Sequence, residues 1–95
     1  MQAYTYILLC ANNQFYTGST KKPLDKRVAE HQRGEGANFT KKHLPLKLVY
    51  YEEFSRIEDA FKREKQVQNW SSKKKEALIT GESDHLKGLS KKDFW

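Results

Sequence analysis

The stretch Ile57-Glu58-Asp59-Ala60-Phe61-Lys62-Arg63-Glu64-Lys65-Gln66-Val67-Gln68-Asn69-Trp70 decides how this chain folds. It follows Ser55. Ser55 with Glu58 three places later predicts a capping box, in which the hydroxyl satisfies an orphan backbone N–H and the carboxylate reaches back to the cap. Ile57, Ala60, Phe61 and Val67 recur at the spacing of one helix face, with Trp70 close to the same stripe, so a helix over 57–70 turns that face to a core. Glu58, Asp59, Lys62, Arg63 and Lys65 make up the solvated face. Position 64, seven after Ile57 and three before Val67, interrupts the stripe with Glu64. A carboxylate on an inward face must be paired, hydrogen-bonded or bound to a cation, because an isolated buried charge loses its hydration without replacement. Glu64 is therefore a candidate ligand.

Outward from that helix, 95 residues beginning with Met1 are expected to make one small domain over 1–81, with 82–95 a short extension, partly helical or frayed. A hydrophobic share of 37%, with five Tyr, five Phe and two Trp, is enough to bury a core. The single cysteine, Cys10, excludes an intrachain disulfide and a cysteine cluster for zinc, and reads as a half-buried strand thiol in a reducing compartment. No secretory apolar region and no membrane-spanning run is present, so a cytoplasmic location and no membrane partner are expected. Net charge is +6, with local runs at Lys21-Lys22, Lys41-Lys42-His43 and Lys73-Lys74-Lys75. Such a balance suits nucleic acid, whose condensed counterions a basic surface displaces.

Tyr4 to Cys10 alternates aromatic, β-branched and apolar residues and reads as a strand covered on both faces. Asn12-Asn13 signals a turn, and Phe15 to Thr20 a second strand, giving a hairpin. A two-residue turn pairs Ala11 with Gln14 and sets Tyr6 and Tyr16 on opposite faces. A three-residue loop pairs Cys10 with Gln14 and sets both phenols on one face. Gly18 leaves a gap beside Tyr16 where another group or a phosphate could approach the backbone. Pro23 opens a helix that Gly34 closes, with Leu24, Arg27, Val28 and His31 on its inward stripe. A cation and an imidazole thus lie one turn apart where apolar residues belong. Gly34-Glu35-Gly36 begins a loop through Asn38, Phe39, Thr40, Lys41 and Lys42 to Pro45, able to hold a backbone phosphate or stack a base. Lys47 to Phe54 is a third strand, and Ser71-Ser72 re-caps the chain for a helix over 73–80 that Gly81 stops. Trp70, Leu78 and Ile79 are expected to close one end of the core.

Tyr6, Tyr16, Arg27, His31 and Glu64 are the residue types that phosphodiester hydrolysis needs. A cation neutralises charge on the phosphorane-like transition state, a base accepts the proton of water, and a donor serves the leaving oxygen. Glu64 can hold one hard divalent ion, Mg2+ or Mn2+, whose other positions water fills. Arg27 can fork onto phosphate oxygens. Tyr16, its pKa lowered by nearby cations, or His31 could take the proton of water.

Thr5-Tyr6-Ile7, then Tyr16-Thr17-Gly18, then Arg27, His31, Glu64 and Asn69 in order resemble the GIY-YIG nuclease superfamily, together with the run Arg63-Glu64-Lys65-Gln66 and the pair Trp70-Ser71. The resemblance covers Tyr4 to about Ile79 and is closest to small single-domain bacterial members. It implies an α+β fold, a three-stranded antiparallel sheet flanked by three to four helices. It also implies metal-dependent cleavage of nucleic acid, DNA before RNA: Tyr16 as general base, Tyr6 assisting by hydrogen bonding, Arg27 steadying the phosphate, Glu64 binding the metal and Asn69 ordering the site. Gly18, Ser19, Lys21, Lys22, Lys41 and Lys42 are the candidate nucleic-acid contacts. Thr5 and Thr17 stand where the superfamily name has Gly and Ile, and Ser19 where excision-repair relatives carry lysine. With no second, DNA-targeting domain in the sequence, a protein partner that supplies targeting is expected. Two readings are open: an active endonuclease, or a nucleic-acid-binding adaptor on the same fold whose site is vestigial or works only with a partner; for Glu64 itself the structural alternative is a buried pair with Arg27.

Overall fold

The computed structural model describes residues 2–81. Its elements are β1 (Ala3–Leu9), β2 (Phe15–Thr20), α1 (Leu24–Gln32), α2 (Asn38–Lys41), β3 (Lys47–Phe54), α3 (Ile57–Gln68) and α4 (Ser72–Thr80). The three strands form one antiparallel sheet in the order β2-β1-β3. This is the expected α+β architecture, with four helices. The expected extension at 82–95 lies outside the described residues.

Because β1 is central, both of its faces are covered. Tyr6 and Leu8 pack with Cys10 and Leu46 on one side, against Tyr16, Leu24, Val28 and Phe39, so α1 and α2 cover that face. Ile7 packs with Val67 and Leu78 on the other, against Phe15, Tyr50, Trp70 and Ile79, so α3 and α4 cover that one. Trp70, Leu78 and Ile79 thus close the core as the sequence predicts. Val49 is an extra residue between the pairs Ile7↔Tyr50 and Leu8↔Leu48, a bulge that re-aims the start of β3. Thr5 donates its hydroxyl to the Ala60 carbonyl at 2.6 Å, and the small, fully buried Ala60 lets α3 approach the sheet that closely.

Several expectations are corrected. The Ser55–Glu58 capping box does not form, because β3 runs to Phe54 and the N-cap falls on Arg56, one residue late, with no side-chain cap. Glu58 sits at the second helical position and meets Arg56 at 3.5 Å. Phe61 leaves the buried stripe and is 50% exposed. Arg63 leaves the solvated face to pair with Glu52 of β3 at 3.0 Å. Cys10 is wholly buried, just past the end of β1. The 34–45 connection contains the helical turn α2, whose Thr40 is fully buried. By contrast, Ser71 caps α4 as expected, accepting from the Lys74 N–H at 3.2 Å, and Gly81 ends it at φ 86°.

Candidate active site

The hairpin settles which face the phenols share. Cys10 N–H donates to the Gln14 carbonyl at 2.9 Å across a three-residue loop, and Asn13 takes the positive φ of 65°. Tyr6 then lies opposite Gly18 and Leu8 opposite Tyr16, which puts both tyrosines on the α1 side. The gap at Gly18 is not open to a phosphate. A Cβ there would lie 2.6 Å from Tyr6 Oη and 2.8 Å from Tyr6 Cζ, so the phenol opposite fills the space.

Tyr6 is itself buried and ends in a chain of hydrogen bonds. Its Oη lies 2.9 Å from His31 Nε2, and His31 Nδ1 lies 3.0 Å from Thr40 Oγ1. Thr40 donates its proton to the Ala37 carbonyl at 2.9 Å. Its oxygen must therefore accept from His31 Nδ1–H, and Nε2, left without a proton, accepts from Tyr6. His31 is fully buried, and desolvation, with Arg27 nearby, pushes its pKa down to about 4. With both ring nitrogens engaged away from solvent, His31 holds Tyr6 rather than reaching a water. Gly36 lies against the imidazole; a Cβ there would collide with ring atoms.

The depressed histidine has a measurable consequence. Between pH 6.5 and about 4 the unfolded chain binds a proton at His31 that the folded chain refuses, so stability falls as pH drops through that window. We expect a loss on the order of 3 kcal/mol. Urea denaturation at steps from pH 7 to pH 4 measures it, and His31→Gln flattens the slope.

Arg27, on the same face of α1, lies near enough to the Tyr6 phenol to oppose the rise that burial imposes on it, and pairs through Nη1 with Glu30 Oε1 at 2.8 Å. The other oxygen of Glu30 meets Lys22 Nζ at 2.6 Å. Lys22 and Arg27, by hydrogen bond and charge, hold that carboxyl down at about 2. Glu30 is thus an internal anion between two cations that the sequence offers to phosphate. Arg27 pairs with Glu30 and not with Glu64, which removes the structural pair considered for Glu64.

Glu64 comes from the other side of the sheet. Helix α3 runs along the outer edge of β2, where Gln68 Nε2 donates to the Thr17 carbonyl at 3.3 Å. Ser19 donates its hydroxyl to Glu64 Oε1 at 2.5 Å, and Gln68 donates to Glu64 Oε2 at 2.7 Å. Both carboxylate oxygens are therefore oriented while the side chain stays half-buried. Around the strand edge, Tyr16 lies near enough to feel it. Burial first, and then the charge of Glu64, raise the Tyr16 phenol above its ordinary value against the opposing pull of Arg27. This reverses the lowered pKa expected from nearby cations, because burial and the carboxylate outweigh Arg27.

Tyr6, Tyr16, Arg27 and His31 thus converge on one face, with Glu64 reaching them around β2. Asn69 does not join them: it is the exposed C-cap of α3 and bonds the Lys65 carbonyl at 3.1 Å. Lys21, Lys41 and Lys42 are exposed, and Ser19 is a partner of Glu64. The sequence reading missed Gln68, Thr40 and Glu30. Gln68, four residues after Glu64, was legible as an (i, i+4) partner. Glu30 was legible as an (i, i+3) partner of Arg27, but nothing in the sequence pairs Thr40 with His31.

The chain is similar to known proteins along most of its length. A UPF0213 protein of Natronomonas pharaonis is 41% identical over 84% of this chain and 93% of its own length. One from Staphylococcus saprophyticus is 40% identical over 81% and 93%. The solution structure of a UPF0213 protein from Bacillus halodurans superposes with a TM-score of 0.54 at 38% identity, covering 84% of each chain. An E. faecalis protein superposes at 0.58 with 32% identity, covering 90% of this chain and 88% of that one. No helix among the described residues is long and apolar enough to cross a membrane. The profile of the GIY-YIG catalytic domain matches residues 2–77, and the chain belongs to the GIY-YIG family.

Proposed function

We propose that this protein is a metal-dependent endonuclease, acting on DNA by structure rather than sequence, with its reaction centre across the outer edge of β2. The observation that carries the reading is the meeting at the β2 edge of Tyr16, on the α1 side of the sheet, and Glu64 of α3, whose two oxygens Ser19 and Gln68 orient. Glu64 fits a hard dication: its oxygens are oriented by Ser19 and Gln68, and it stays half open to water. Among the described residues no three His, Cys, Asp or Glu form a metal cluster. One carboxylate with waters suits a single Mg2+ or Mn2+, which dehydrates reluctantly. Such an ion supplies positive charge at the phosphoryl group and a more acidic water.

The chain's own residues do the rest. Tyr16 orients the attacking water through its oxygen and takes its proton. Burial first and the Glu64 charge second keep this phenol above its ordinary value, so a cation held by Glu64 would ease the second of these. Arg27 steadies the phosphate, which must displace Glu30 from Nη1. Tyr6 and His31, buried and bonded to each other, back the face on which Arg27 lies. Lys21, Lys41 and Lys42 hold flanking phosphates, which position a strand without reading its bases. Targeting then falls to a protein partner. A nucleic-acid-binding adaptor is the second reading, favoured by the engagement of Arg27 with Glu30.

The test is incubation of the purified protein with single-stranded, duplex and branched DNA in Mg2+, Mn2+ or chelator. Nicking that needs the metal is the expected result. Salt-sensitive binding with no cleavage on any substrate establishes the adaptor instead.

A further inference from the structure

Phe61 is half exposed although the sequence places it on the buried stripe of α3. At 100° per residue it falls on the side of the helix that carries Glu64 and Gln68, away from Arg63, which turns to Glu52 on β3. Glu64 and Gln68 reach Ser19 and Thr17 of β2, so Phe61 flanks the same strand edge one turn nearer the helix N-terminus. Lys65 Nζ stands 4.8 Å from the ring centroid of Phe61. Lys62 is exposed alongside, and Lys21 lines the same shallow cavity as Glu58 in the first turn of α3. An aromatic ring kept in water gains nothing from the core. With the Lys65 ammonium beside it, and roughly 5 Å along the helix from Glu64, it has the composition of a base-stacking platform on a single strand.

We propose that Phe61 and Lys65 form a subsite for an unpaired nucleobase beside the phosphodiester that reacts at the β2 edge, near Glu64. The substrate is then single-stranded at the cut, as in a flap or an open junction, since a paired base within a duplex keeps its faces covered by its neighbours. The proposal rests on the nuclease reading for the place of the phosphate, but its test does not.

Anisotropy of labelled oligo-dT and of a blunt hairpin duplex, both in chelator, reads binding by the parent, Phe61→Ala, Phe61→Leu and Phe61→Trp. Phe61→Ala and Phe61→Leu are expected to weaken oligo-dT about tenfold, Phe61→Trp to retain it, and the duplex to be unaffected by all three. Leucine keeps the apolar area and removes the π-face, which separates stacking from simple contact. No loss on oligo-dT, an equal loss on the duplex, or a parent that does not bind oligo-dT overturns the subsite. Cleavage is followed separately in Mg2+. A parent that binds oligo-dT through Phe61 yet never cuts overturns the nuclease reading and leaves the subsite standing.

Discussion

Gly36→Ala is expected to destabilise the fold by about 3 kcal/mol, at the upper end of what overpacking a core costs. The new methyl would meet His31 at Nδ1, with Cε1 at 2.6 Å and Cγ at 2.8 Å, which are ring atoms and not the end of a flexible side chain. The ring has nowhere to go. It is fully buried and held by Tyr6 at 2.9 Å and Thr40 at 3.0 Å. Moving it breaks both bonds in a buried setting, and lifting the loop instead pulls against Gln32, whose side chain clamps Leu46 with bonds of 2.6 and 3.1 Å. Gly34→Ala is the internal comparison. Gly34 has a positive φ of 80° but meets only Lys41 Cγ, at 3.9 Å, so its substitution costs about 1 kcal/mol of backbone strain. Urea denaturation of the two variants decides: a larger loss at position 34 than at position 36 contradicts the packing of the imidazole described above.

Glu64→Gln is expected to reduce metal-dependent cleavage by at least about 100-fold while changing stability by less than about 1 kcal/mol. Glutamine keeps the volume and can still accept from Ser19, so the edge of β2 stays covered. What it loses is the charge and, with its one oxygen on Ser19, the acceptor for Gln68 Nε2. The loss of charge lowers the Tyr16 phenol, because the carboxylate is the second cause of its upward shift after burial. Ultraviolet titration of the parent and the variant, with Tyr16→Phe used to assign the transition, measures that direction independently of any cleavage.

The strands and their order of use were legible in the sequence. Aromatic and β-branched residues broken by Asn12-Asn13 specify a hairpin whichever register it takes, and β3 occupies the residues expected of it. The register itself was not legible, because Asn12 and Asn13 suit a two- or a three-residue loop equally. It follows from the bond between Cys10 and Gln14. The capping box failed because the helix begins one residue late, with Arg56 in the N-cap position and Glu58 at the second helical position. Helical periodicity located Glu64, Arg27 and His31 as polar residues on inward faces. It could not say that His31 would be satisfied by Tyr6 and Thr40, since a contact between residues nine apart, on two different helices, leaves no periodic trace. Nor could it separate Phe61 from the core residues beside it, because the stripe of α3 is wider in sequence than the strip of sheet that the helix covers. Asn69, placed in the site by resemblance, caps its own helix instead.

Paramagnetic broadening by Mn2+ in two-dimensional NMR spectra of the parent and Glu64→Gln tests the metal site at the edge of β2 most directly. The account predicts broadening that starts at Glu64, Ser19 and Gln68, spreads to Tyr16 and Thr17, and disappears in the variant. Broadening centred on the Glu30 or Glu52 carboxylates, or a response in the variant equal to that of the parent, contradicts it.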